Sequence, residues 1–138
     1  MITAESIFVS TEAKVNYLKS LIRLAKSDGK IQEQEMIYFI QAAQQLEVGS
    51  QAEMDVKNAW ESDTIKIEFE TMREKMFDLI QLYHISWIDG EIAPEELTEI
   101  RNIAKELGIR DENVQKVEDW FLDGIAWTKR GDELIDLD

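Results

Sequence analysis

Residues 25–35 read AKSDGKIQEQE. One helical pattern ends there, the chain turns on Gly29, and a second helical pattern opens with acids, which marks a tight helix-to-helix connection. Asp28 is out of place by electrostatics alone, because an anion at the C-terminal end of a helix faces the negative end of the macrodipole. WIDGEIAPEE at 87–96 repeats the arrangement: Asp89, Gly90, Ile92 and Glu96 follow Asp28, Gly29, Ile31 and Glu35 at a constant offset of 61 (89 − 28, 96 − 35). An element that recurs with its spacing intact makes the turn the organising unit of the chain.

Outward from the first turn, Val15, Leu18, Leu21, Ile22 and Ala25 form an apolar stripe at helical spacing, which predicts a long helix from Thr11, as N-cap, to Ser27. Gly29 ends it as a left-handed C-terminal residue. A second helix after KIQ carries Met36, Ile37, Ile40, Ala43 and Leu46 inward and ends before Gly49. SQAE at 50–53 matches a capping box, Ser50 with Glu53, and opens a shorter helix through Val56 and Trp60.

The offset of 61 regenerates this order. A helix starting between Ile65 and Thr71 and reaching Ile88 presents Met72, Met76, Leu79, Ile80, Tyr83 and Trp87. Pro94 suits the first position of the helix that carries Leu97, Ile100, Ile103, Ala104 and Leu107. A last helix from about Asp111 runs through Val114, Val117, Trp120 and Phe121, and the acidic end GDELIDLD reads as short, polar and frayed. No strand pattern interrupts these windows. The expectation is an all-α fold: one helical bundle of about six to seven helices over residues 1–138, built from repeats at about 11–60 and 72–121 plus an acidic extension at about 122–138. Two halves this small cannot each bury an apolar stripe alone, so they should pack face to face about a pseudo-twofold axis.

Composition narrows the function. With 15 Lys and Arg against 29 Asp and Glu, the formal charge of −14 opposes approach to nucleic acid or to an anionic membrane. No cysteine is present, which removes disulfides, zinc–thiolate sites and thiol redox chemistry, and a single histidine, His84, cannot build a His-rich metal site. His84 aligns with Arg23 and reads as a surface or boundary residue. No apolar run approaches a membrane span and no leader pattern opens the chain, so the expected location is cytoplasmic. Of the four tryptophans, Trp127 alone lies beyond the repeats, where it could cover the bundle end or meet a partner or a second copy.

The two turns also pose a capping problem. If Glu35 and Glu96 occupy third helical positions, the N-caps are Gln32 and Ala93, both poor acceptors. Asp28 and Asp89, each beside a glycine, can instead fold over and accept amide hydrogens near Ile31 and Ile92, which would act as apolar plugs. The positive end of the incoming helix then offsets the unfavourable dipole of the outgoing one.

The pair SDGKIQEQE and IDGEIAPEE, each followed by a helix ending QLEV or ELGI, resembles the TerB-like tellurite-resistance family, which includes the N-terminal domain of DjlA-type co-chaperones; the resemblance spans residues 11–122. It implies a helical bundle of two such units, an association with stress and metal-anion resistance, and acidic turns that are suspected cation sites. On that basis Asp28, Glu33, Glu35, Asp89, Glu95 and Glu96 are the candidate metal ligands, for calcium, magnesium or manganese, with plain capping as the competing role of Asp28 and Asp89. The pattern fails the EF-hand loop, since Gly29 follows Asp28 directly. No phosphate loop, nucleophile elbow or Cys–His pair is present. The expected role is therefore a non-catalytic acidic module that binds protein partners, with a homodimer compatible; the alternative is a metal-dependent, hydrolase-like enzyme of unknown substrate. Tellurite reduction by thiols is excluded for a chain without cysteine.

Overall fold

The structure is a computed structural model that describes residues 2–137 apart from Asp28, Lys30, Ile31, Gln32 and Asp89, and omits the side chains of Glu35, Met36, Tyr38 and Ile40. The described residues form seven helices and no strand: α1 (Ala4–Ile7), α2 (Thr11–Lys26), α3 (Glu33–Leu46), α4 (Ser50–Glu61), α5 (Met72–Ser86), α6 (Pro94–Glu106) and α7 (Asp111–Ile135). None of the described helices is long and apolar enough to cross a membrane.

α2 and α5 are the central pair. They pack on each other, α3 and α4 lean on α2, and α6 and α7 lean on α5, with α6 also touching α2. The expected α2 stripe is buried in full, Val15, Leu18, Leu21, Ile22 and Ala25 all lying in the core. α5 is enclosed on more than one face: Leu79 and Tyr83 are buried as their spacing predicts, and so are Leu82, Ile85, Ser86 and Asp78. Met72, expected inward, is exposed at the first turn of α5. α3 presents Phe39, Ala42, Ala43 and Leu46 to the core, which turns Ile37, another expected core residue, into solvent.

The capping chemistry differs from expectation at two starts. Ser10, not Thr11, caps α2, its hydroxyl accepting the Ala13 amide at 3.1 Å. Ser50 is already inside α4; Gly49 is the N-cap, with φ 87° and ψ 166°, and no side chain caps that helix. The Ser50–Glu53 box is lost because glycine can take this conformation and start the helix one residue earlier. Thr71 and Glu74 do form a reciprocal capping box at the start of α5. Pro94 is the first residue of α6, and Ala93 before it supplies no side-chain cap.

Two features lie outside the expected pattern. The N-terminal segment folds into α1, capped by Thr3 and Ser6, and delivers Phe8 into the core. Phe8 stacks on Tyr17 at 4.7 Å and on Phe69 at 5.4 Å, and meets the edge of Phe77 at 5.6 Å. The acidic end is helical through Ile135, since α7 continues past Gly124 and Gly131. Trp120, expected on the inner face of α7, is exposed, while Phe121 beside it is buried against Tyr83 and Trp87.

Polar ties fix the packing. Arg23 near the end of α2 bonds Glu99 of α6 at 2.7–2.8 Å and also pairs with Glu106. Burial alone would lower the Arg23 pKa, but Glu106 and Glu99 outweigh it and hold the guanidinium above its ordinary value. Lys26 donates to the carbonyls of Trp60 and Ser62 at 2.9 and 2.8 Å, closing the C-terminus of α4 with a cation as the dipole favours. Asn16 receives the Glu68 amide at 2.9 Å, which pins the connection between α4 and α5 to α2.

Candidate functional site

The acidic turns follow α2 and α5. At the first, Ser27 turns back on Leu24, and Gly29 donates to the Lys26 carbonyl at 3.2 Å with φ 71°. At the second, Gly90 donates to the Trp87 carbonyl at 2.9 Å with φ 90°. Both glycines hold the left-handed backbone that any other residue adopts under strain, which accounts for their place after each aspartate.

Asp28 and Asp89 lie outside the described residues, as does the side chain of Glu35, so their part in capping or cation binding falls outside what the structure describes. Glu33 and Glu95 are exposed on the first turns of α3 and α6, whose N-terminal dipoles favour them. Glu96, one residue on, is buried, and Ile92 packs on the core as a partial plug. Among the described residues, no three His, Asp or Glu side chains are grouped to hold a metal ion.

A second feature was absent from the sequence expectations. Between α3 and α4, over a floor of Leu18 and Ile22 from α2, lies an apolar groove of about 470 Å³. Its described walls are Phe39, Ala43 and Val48 on one side and Val56 and Trp60 on the other, with the Phe39 and Trp60 rings 6.0 Å apart. Glu53, Lys57 and Glu61 stand along its α4 wall. Across the bundle, where α5, α6 and α7 meet, Tyr83, Ile100, Ile103 and Phe121 are buried. Each groove residue, taken singly, reads as an ordinary amphipathic position; concavity arises only from the placement of three helices and leaves no local mark.

Three titratable groups away from the turns and the groove are shifted by burial. Asp78 is fully buried and accepts the Ser20 hydroxyl at 2.6 Å; burial pushes its carboxyl well above the ordinary range against the lowering effect of that bond. Tyr83 is pushed up to about 12, first by burial and then by Glu118. His84 meets the rings of Trp120 and Phe121, and desolvation there lowers its pKa. Compared with protein-family models, with curated proteins and with solved structures, the chain matches none of them.

Proposed function

We propose that this chain is a non-catalytic, acidic interaction module of the TerB-like type, serving tellurite or metal-stress resistance. Its α2/α3/α4 groove takes an amphipathic helix of a protein partner, and its Asp-Gly turns take a divalent cation. The groove carries the reading: an open apolar concavity receives the apolar stripe of a helix. A chain charge of −14, with Glu53 and Glu61 outnumbering Lys57 on one wall, favours a partner whose flanks are basic.

The repeat is proposed on local grounds. Thr11 and Met72, Glu33 and Pro94, and Ser50 and Asp111 open helices at one common separation of 61 (72 − 11, 94 − 33, 111 − 50). Ser10 and Thr71 cap at that separation (71 − 10), and Gly29 and Gly90, like Glu47 and Gly108, share positive φ. The ring stack of Phe8 on Phe69 brings two positions of the same offset together (69 − 8), as residues beside a twofold axis would be.

A Leu-faced helical peptide with lysine flanks, titrated calorimetrically against the protein, should bind more tightly than the same peptide with glutamate flanks. Ala43→Phe, which fills the groove, should weaken that binding at least about tenfold. Equal binding by the filled variant would overturn the groove reading. Millimolar calcium, magnesium or manganese should raise the melting temperature of the protein but not of an Asp28→Asn/Asp89→Asn double variant. Equal shifts in both would reduce the turns to helix caps.

A further inference from the structure

α7 outruns its own support. Its last buried residue is Phe121, and Ile125 still packs on the core, yet the helix continues to Ile135. A ten-residue helical stretch is marginal in water, and a helix-interior glycine such as Gly131 weakens it further relative to alanine. Neither Gly124 nor Gly131 has positive φ, and a Cβ built on either meets nothing within 4 Å. Among the described residues, no contact therefore explains why these positions lack side chains.

The same stretch carries an exposed stripe. Trp120, Trp127 and Leu134 recur every seven residues, and are 54%, 71% and 66% exposed. Asp123, Gly124, Arg130 and Gly131 lie at the intervening helical positions of the same face, three or four residues after each tryptophan. Among the described residues, neither Asp123 nor Arg130 forms an ion pair.

We propose that this stripe binds a second copy of the chain, helix against antiparallel helix. One register pairs both tryptophans with both glycines and brings Asp123 and Arg130 together. With a twofold axis between Ile125 and Ala126, Trp120 of one copy faces Gly131 of the other and Trp127 faces Gly124, since both pairs of numbers sum to 251. Each indole lies over bare backbone, a large group meeting a gap. Asp123 of each copy then comes within two residues of the level of Arg130 of the other, on the same flank, and two symmetric ion pairs form. A parallel pairing fails on each count, because it sets tryptophan against tryptophan, aspartate against aspartate and arginine against arginine.

Area sets the strength. At about 150–250 Å² for a large side chain, the three apolar residues expose roughly 300–450 Å² per copy. That is about half of the ~800 Å² per partner in a standard interface, and Asp123, Arg130 and the glycine backbone enlarge it. The dimer is accordingly reversible and dependent on concentration.

Sedimentation equilibrium of the full chain over micromolar to submillimolar concentration should show a monomer–dimer equilibrium. Trp127→Ala should raise its dissociation constant at least about tenfold. Asp123→Arg and Arg130→Asp should each weaken it, by placing like charges opposite, and the double exchange Asp123→Arg/Arg130→Asp should restore it. These positions lie outside the core, and unchanged circular dichroism confirms that each variant is folded. A monomer at every concentration, a dimer indifferent to Trp127→Ala, or a double exchange that fails to restore association overturns the proposal. The first result would turn the stripe over to another protein. Because the groove lies on α2, α3 and α4, peptide binding there is scored separately and neither result decides the other.

Discussion

Ser20 on α2 donates its hydroxyl hydrogen to Asp78 on α5 across 2.6 Å, in a place where neither side chain touches solvent. The bond joins the two central helices, but it reaches only Oδ2 of the carboxyl. Oδ1 is buried without a hydrogen-bond partner among the described residues. A half-satisfied carboxyl in the core favours its neutral form, which is why its pKa rises.

The sign of the pH dependence follows. Unfolded aspartate titrates near about 3.9. In the fold Asp78 keeps its proton to higher pH, so between the two pKa values the native state binds more protons. The Asp78 contribution is then fully present below about pH 4 and is lost as pH rises through the folded pKa. Asp78→Asn, which stays neutral, should match the original protein at pH 4 and exceed it at neutral pH by about 1–3 kcal/mol in urea melts. A variant weaker than the original at neutral pH would show that the carboxylate is ionised and satisfied.

Arg23 binds α2 to α6 through Glu99 and Glu106. Arg23→Met should cost about 1–3 kcal/mol, between the values for exposed and buried pairs, because it leaves two carboxylates without their cation. In a Glu99→Gln/Glu106→Gln background the same substitution should cost much less, and thermal melts of this cycle isolate the ion pairs. Equal costs in both backgrounds would assign the effect to lost packing of the arginine stem.

Glu47 is the one described non-glycine residue with positive φ, at 49°, just past the end of α3. Glycine is the natural occupant of that position after a helix, so Glu47→Gly should stabilise by about 0.5–1 kcal/mol. Gly49, at φ 87° and ψ 166°, occupies a region open essentially to glycine alone, and Gly49→Ala should destabilise by about 1–3 kcal/mol. Differential scanning calorimetry of the two variants should therefore move in opposite directions.

What the sequence revealed was the part encoded by periodicity. The stripe of α2 and the Pro94 start of α6 were legible because apolar spacing and a proline at the first helical position are local signals. Trp120 and Phe121 are adjacent and both compatible with an inner face, and only tertiary placement separates the buried one from the exposed one. The end GDELIDLD reads as frayed because it is short and polar, yet α7 continues through Gly124 and Gly131 to Ile135. α1 is a single turn with no period to detect, held by contacts to residues far along the chain. The acidic turns stood out by repetition, while the groove and the Ser20–Asp78 bond join segments that no local pattern relates.

The burial of Phe8 has a consequence for the order of events during synthesis. Two of its three ring partners, Phe69 and Phe77, emerge from the ribosome more than sixty residues after it (69 − 8 = 61, 77 − 8 = 69). Until then the N-terminal segment has only Tyr17 to stack on, and Ser20 waits for Asp78 over a similar interval. The apolar face of α2 that α5 and α6 cover in the fold has no partner until the second half is made. Contacts of this sequence separation lengthen the search by loop closure and leave apolar surface open to a chaperone until the second half arrives.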